Sequence, residues 1–165
     1  QLLLEFVRLL KSIKPAYFLL ENVVPRKREW KVQIDELLGV PGVLINSDLF
    51  VPQNRPRIYW TNIPILALPV RPDWNRQYYQ YRRTYFRANK SGVCPCLTAN
   101  MGTGGHNIPL KSLDLKDKLT PSEVEQLQGV PVNYTEGPAK CHRYEMLGNG
   151  WTVDVIAHIF RGLGK

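Results

Sequence analysis

Leu2, Leu3, Phe6, Leu9, Leu10 and Ile13 recur at the spacing of one helix face, with Glu5, Arg8 and Lys11 on other faces, and Lys14-Pro15 ends the run. This predicts an amphipathic helix. AYFLLEN, residues 16–22, is too short for a second helix and apolar on both faces, so it predicts a fully buried strand of the parallel kind with Glu21 at its end. Trp30, Ile34, Leu37 and Leu38 mark a second amphipathic helix, closed by Gly39 and the Pro41-Gly42 turn. VLIN follows as strand. Pro52 and Pro56 bar VPQNRPR from a central strand, whereas IYWTN alternates well, so Val43 to Asn62 reads as strand, loop, strand. Helix-strand-helix-strand at this spacing is the α/β pattern of a layered sheet.

Residues 63–118 differ in character. Aromatic and basic residues interleave in WNRQYYQYRRTYFRANK, the glycine-rich MGTGGHN follows, and no long helical period survives. The segment reads as an irregular inserted lobe. Order returns at LTPSEVEQLQG, where Thr120 as N-cap, Pro121 at the first helical position and Glu123 form a capping box, with Gly129 and Pro131 at the close. The last element, WTVDVIAHIFRGL, is expected to bury Val155, Ile156, Ile159 and Phe160 on one face. LGNG just before it places flexible backbone at a helix N-terminus, where ligands often sit.

Charge sharpens this picture. Lys and Arg outnumber Asp and Glu by 22 to 14, a formal net charge of +8, which points to a polyanionic partner, nucleic acid first, with a basic but non-binding surface as the other reading. At 165 residues the chain is the size of one domain, or of two unequal lobes. LLLEFVRLL is interrupted by Glu5 and Arg8, so it makes neither a signal segment nor a membrane span, and the expected location is intracellular, nuclear in a eukaryote or cytoplasmic in a bacterium or phage host. Three cysteines, an odd number, argue against a disulfide scaffold. Cys94, Cys96 and Cys141 with His106 and His142 lack the paired spacing of a zinc site, so no metal is expected. An N-terminal Gln in place of Met suggests an excised or processed piece.

Taken in order, FLLENVV, VPQNRPRIYWTNIP, KLTPSEVEQLQGVPVNYT and RYEMLGNGWTVDVIAHIF resemble the later motifs of the DNA (cytosine-5)-methyltransferases: Glu-Asn-Val, Gln-x-Arg-x-Arg, the motif after target recognition and the final cofactor-side motif. RPRIYWTNIP and PVNYT are also similar to the de novo animal enzymes and to phage enzymes. The resemblance implies half of a Rossmann-like, S-adenosylmethionine-dependent methyltransferase sheet. Residues 1–62 would belong to the catalytic core, 63–118 to a target-recognition lobe, and 119–165 to final motifs returning to the core.

By residue type alone, a carboxylate at the end of a parallel strand stands where α/β ligands bind, and partial burial there favours its protonated form. Glu21 capping the next turn beside Arg26 or Lys27 is the plainer reading. The resemblance gives Glu21 the general-acid role at cytosine N3, activating C6 of a flipped-out base for thiolate attack before C5 takes the methyl group. Arg55 and Arg57, two apart on an extended segment, share a face and can converge on one site, or stand as two surface arginines. The resemblance assigns cytosine O2 and nearby phosphate to Arg57, and support of the base and catalytic loop to Arg55. Gln53 takes a DNA-facing or loop-supporting role. Asn149, Gly150 and Trp151 match the cofactor motif, although the Trp can equally staple its helix to the core, and Asn22 holds local backbone. Arg71, Arg76, Arg82, Arg83, Arg87 and Lys90 offer phosphate contacts to double-stranded DNA, and Thr98, Asn100 and the loop of residues 102–105 can approach base edges.

The glycine-rich cofactor motif and the Pro-Cys nucleophile of such enzymes are not in this sequence. Pro95-Cys96 has the dipeptide but follows the arginine motif and precedes no helix, so it is read as coincidence. The chain alone is therefore expected to be inactive, with the strand at 17–21 lacking its inner parallel neighbour. A complementary half carrying the nucleophile would complete it, from a longer or cleaved enzyme, a split subunit or a permuted arrangement. The rival class is a non-catalytic accessory protein that binds DNA or a partner enzyme. A further variant is an RNA-directed enzyme of the same fold.

Overall fold

The computed structural model of the chain describes residues 2–89, 91–103 and 108–164. Its elements are α1 (Leu2–Ile13), β1 (Leu19–Val23), α2 (Arg28–Leu38), β2 (Val43–Asn46), β3 (Pro56–Thr61), β4 (Tyr78–Tyr81), β5 (Phe86–Asn89), β6 (Ile108–Leu110), α3 (Pro121–Gln128), α4 (Lys140–Asn149) and α5 (Val153–Phe160). Short 3-10 turns fall at Ser47–Leu49, Ala99–Gly102 and Arg161–Gly164. The chain divides into two compact units, one of Gln1–Ile45, Pro56–Leu66 and His158–Lys165, the other of Asn46–Arg55 and Ala67–Ala157.

In the first unit the strands lie in the order β1-β3-β2. β1 runs antiparallel to β3, from Leu19 opposite Thr61 to Val23 opposite Arg57, so its observed partner is not the parallel neighbour that its apolar pattern implies. Nor is it fully buried: Leu19, Leu20 and Glu21 are half-buried, Asn22 and Val23 exposed. The reason is position, because β1 is the end strand of this sheet and has one neighbour among the described residues.

Ile34 of α2 packs with Ile58 and Trp60 of β3, and Leu3, Phe18, Leu20, Leu38 and Val40 close over them. Asp35 ties this core together: Oδ1 accepts from the Trp60 indole at 2.6 Å and from the Gly42 amide at 3.0 Å, and Oδ2 from Lys31 at 2.6 Å. A buried indole N–H needs such an acceptor. Both predicted amphipathic helices form, yet much of their apolar surface stays in contact with solvent: Leu2, Leu9 and Ile13 of α1 and Trp30 and Leu37 of α2 are exposed.

The second unit holds an antiparallel sheet in the order β5-β4-β6, structure that the interleaved aromatic and basic residues concealed. Tyr78 and Gln80 alternate inward on β4. A core of Tyr78, Cys94, Leu97, Met101, Leu119, Val124, Leu127 and Leu147 joins this sheet to α3 and α4. The predicted capping box is present: the Thr120 hydroxyl accepts from the Glu123 amide and the Glu123 carboxylate from the Thr120 amide, while Gly129 closes α3 in the left-handed conformation at φ 75°. α4 is a helix that the sequence reading did not predict; its last turn runs into the LGNG read there as flexible backbone. In α5, Val155, Ile156 and Ile159 are buried as expected, but Phe160, the last residue of the helix, is exposed.

Candidate functional site

In the first unit the site is made by strand pairing. Glu21 lies opposite Tyr59 and Val23 opposite Arg57, so Glu21 and Arg57 are diagonal neighbours on one face of the β1–β3 ribbon. The Arg57 Nε donates to Glu21 Oε1 at 2.8 Å, and both side chains are more than four-fifths buried, at 13% and 17% exposure. Arg57 Nη1 also donates to the Pro56 carbonyl at 2.9 Å. Asn22 accepts from the Val23 amide at 2.8 Å, the local backbone role expected of it.

Arg55 and Gln53 belong to the second unit and have other partners. Arg55, 6% exposed, donates through Nη1 to the Leu97 carbonyl at 2.9 Å and through Nη2 to the carbonyls of Gly148 at 3.1 Å and Gly150 at 2.9 Å. It is a buried strut rather than a surface arginine. Gln53 is fully buried: its amide donates to the Leu127 carbonyl at 2.8 Å and the Gln128 side chain at 3.1 Å, and its oxygen accepts from the Leu97 amide at 3.3 Å. Of the two roles open to it, that geometry fits support of the loop and leaves no face for DNA.

The same network contains residues that sequence reading passed over. Gln128, also fully buried, donates to the Leu147 carbonyl and accepts from the Thr152 hydroxyl at 3.0 Å. Together with Arg55 it occupies the carbonyls on both sides of Asn149. The exposed side chains of Asn149 and Trp151 thus project from backbone that is held in place. The signal for Gln128 was available in LQG, where a polar residue sits between helix-face apolar positions.

Around the β4–β5 hairpin, Arg82 donates to Gln80 at 2.8 Å and Thr98 to Asn100 at 3.0 Å. A cavity of about 280 Å³ is lined by Arg82 and Arg87 with Asn54, Gln80, Asn89 and Thr98, its remaining wall being Pro95 and Cys96. Among the described residues no carboxylate lines it, so it favours electron-rich, hydrogen-bonding ligands. Arg83 stands apart, exposed in the hairpin turn at φ 63°. Arg71 is ion-paired with Asp48 at 2.8 Å. Lys90, Gly104, Gly105 and His106 lie outside the described residues.

Among the described residues no group of three His, Cys, Asp or Glu side chains is placed to hold a metal ion. Cys94 is buried, which pushes its thiol up, and Cys96 lies 3.7 Å from Arg55 Nη1. Among the described residues no helix is long and apolar enough to cross a membrane.

One buried charge ties three neighbouring segments of the second unit together. Burial disfavours the Glu125 carboxylate, but the Thr135 hydroxyl, Arg143 and the amides of Thr135 and Asn133 all donate to it and hold its pKa at about 2. The result pins the 131–135 turn and α4 to α3.

Comparison with known proteins bears on this arrangement. The family model of C-5 cytosine-specific DNA methylases matches residues 62–165, well over half of the chain. The type II methyltransferase M.Bsp6I of Bacillus sp. (strain RFL6) is 49% identical over 89 residues, a stretch that spans 53% of this chain and 28% of that relative's length. Among solved structures, a prophage-encoded chain of E. coli assigned as a DNA modification methyltransferase superposes with a TM-score of 0.66 at 16% identity, covering 97% of this chain and 72% of that one. The S. pombe Dnmt2 methyltransferase does so with a TM-score of 0.61 at 16% identity, covering 99% and 72%. The structural likeness identifies the fold as part of a Rossmann-like methyltransferase fold. With the family match over more than half its length, the chain belongs to the C-5 cytosine-specific DNA methylases.

Proposed function

We propose that this chain is part of a DNA cytosine-5 methyltransferase that acts on a cytosine flipped from double-stranded DNA, with the nucleophile half supplied by another segment or chain. The observation that carries the reading is the Glu21–Arg57 pair, a carboxyl group and a guanidinium held 2.8 Å apart and largely buried on one face of the β1–β3 ribbon, with Glu21 in the middle of β1 rather than at the strand end expected of it. Cytosine presents a ring nitrogen and a carbonyl oxygen side by side. In its protonated form, the proton being taken from solvent, Glu21 donates to N3 while Arg57 donates to O2, drawing electron density from C6 so that a thiolate can add there.

S-adenosylmethionine supplies the methyl group when bound. Asn149 and Trp151 would hold it, and Gly150, whose carbonyl is taken by Arg55 and Gln128, fixes their backbone. DNA is gripped by Arg82, Arg83 and Arg87, and Thr98 and Asn100 face base edges. Residues 63–118 act as the recognition lobe between core segments 1–62 and 119–165. Support for a complementary half comes from the first unit, where β1 ends its sheet and an apolar groove of about 300 Å³ is lined by Phe6, Leu9, Ile13, Tyr17, Phe18 and Leu19.

The test is transfer of labelled methyl to cytosine-containing DNA by the complete protein, with the product base identified by mass spectrometry. 5-Methylcytosine is the expected product. DNA binding with no transfer would replace this reading with that of an accessory protein.

A further inference from the structure

Gln80 of β4 is 9% exposed and forms part of the wall of the polar cavity beside the β4–β5 hairpin. Its side-chain oxygen accepts from Arg82 Nε at 2.8 Å, and because that nitrogen can only donate, the bond fixes which end of the amide is which. The amide nitrogen is left with no partner among the described residues. A buried donor without an acceptor is costly, and a ligand that supplies the acceptor removes that cost. The other amide oxygens of the wall are already engaged. Asn54 Oδ1 accepts from Asn46 at 2.9 Å and Asn89 Oδ1 from the Ser91 hydroxyl at 2.8 Å. The Thr98 hydroxyl donates to Asn100, and a hydroxyl reads either kind of base edge. Opposite Gln80, in register on β5, stands Arg87, and Arg82 adds its terminal nitrogens, so the wall presents donors in excess.

Among the base edges of the major groove, only guanine presents two acceptors, O6 and N7, with no donor beside them. Adenine and cytosine each bring an exocyclic N–H that this wall would leave unpaired, and thymine has a single acceptor. A glutamine with both ends open pairs with adenine, but here the oxygen end is held by Arg82 and only the donor end faces a ligand. Phosphate oxygens would also take these donors, yet a neutral amide at this depth suits a base edge better than a backbone charge met at exposed cations. We propose that Gln80 and Arg82, with Arg87 opposite, are the specificity determinant for one guanine of the DNA site, read through O6 and N7. This rests on the DNA assignment made under the proposed function.

Selection from a randomised duplex library by the complete wild-type protein, followed by single-position replacements in the selected site, is the test. At one guanine, replacement by adenine or cytosine is expected to weaken binding about 5- to 150-fold, the worth of one good base contact, whereas inosine, which keeps O6 and N7, stays within about twofold. Inosine as damaging as adenine would place the contact in the minor groove and overturn the proposal without any variant having to fold. Gln80→Met keeps the volume and loses the donors, and should bring the preference at that position close to one. Gln80→Glu keeps an oxygen for Arg82 but turns the donor end into an acceptor, and should move the preference toward cytosine, which offers its N4 amino group. A guanine preference unchanged in both variants contradicts the proposal. A selected site with no guanine, with Gln80→Met weakening all duplexes alike, would make the cavity a phosphate seat and overturn the proposal while leaving DNA binding intact. Failure to bind any duplex would remove the DNA assignment itself.

Discussion

Glu21 and Arg57 sit on antiparallel neighbours, one diagonal step apart, with Oε1 and Nε at 2.8 Å. Each limits the freedom of the other, so the two groups proposed to meet N3 and O2 of cytosine stand side by side before any base arrives. Such preorganisation places the chemistry in the ground-state structure rather than in a rearrangement on binding.

Glu21→Gln keeps an oxygen for Arg57 but removes the ionisable proton. Methyl transfer by the complete enzyme is expected to fall about 10²- to 10⁴-fold, the usual worth of a positioned general acid, with DNA affinity within about a factor of two. Single-turnover rates alongside equilibrium binding give both numbers. A methylation rate equal to wild type would show that the carboxyl group is structural.

Arg57→Ala removes the guanidinium that holds Glu21, so both transfer and DNA affinity should decline. The two positions should also be non-additive, with a coupling of about 0.5–3 kcal/mol in a double-mutant cycle on the transfer rate. Additive losses would mean that the pair does not act as a unit.

Legibility in the sequence followed the range of the interaction. The α3 capping box and its Gly129 stop were readable because the signal lies within a few residues of the effect. The strand, loop and strand from Val43 to Asn62 were readable from Pro52, Pro56 and alternation. The diagonal meeting of Glu21 with Arg57 was not, since it depends on which strand pairs with β1, and an apolar run suggests burial without naming the neighbour. α4 was missed for a related reason. Its Gly148 looks like a helix breaker locally, yet glycine is required there by the distant backbone of Thr98 and Ala99. Gln53 carries no mark of depth in VPQNRPR, and only the fold reveals that Leu97, Leu127 and Gln128 surround it.

The arginines of the hairpin should divide by role. Arg83, exposed in the turn, is the one proposed to contact phosphate: Arg83→Ala should weaken binding to all duplexes alike and reduce the salt slope by about 0.9. Arg87 lines the polar cavity with Gln80, Asn89 and Thr98, so Arg87→Ala should relax sequence preference by about 1–3 kcal/mol at one base position. Binding to a duplex library at two salt concentrations separates these effects. Identical behaviour of the two variants would show that the cavity does not read bases.

Glu125 makes the second unit acid-labile in a defined window. Its carboxyl is held at about 2 against an ordinary value of 4.5, so the folded state binds a proton less readily than the unfolded chain. The stabilisation is complete above the unfolded value and drains away as pH falls from 4.5 toward 2. Glu125→Gln leaves Arg143, only 14% exposed, without its carboxylate, and should cost about 3–5 kcal/mol at neutral pH, as removal of one member of a buried pair does. Asp35 and Glu123 are also held low, so the informative quantity is the difference between wild type and variant. Urea midpoints measured from pH 7 downward should converge as the acid window is entered, because protonation removes from the wild type what the substitution has already removed. Curves that stay parallel through the window would place the acid sensitivity in other carboxylates.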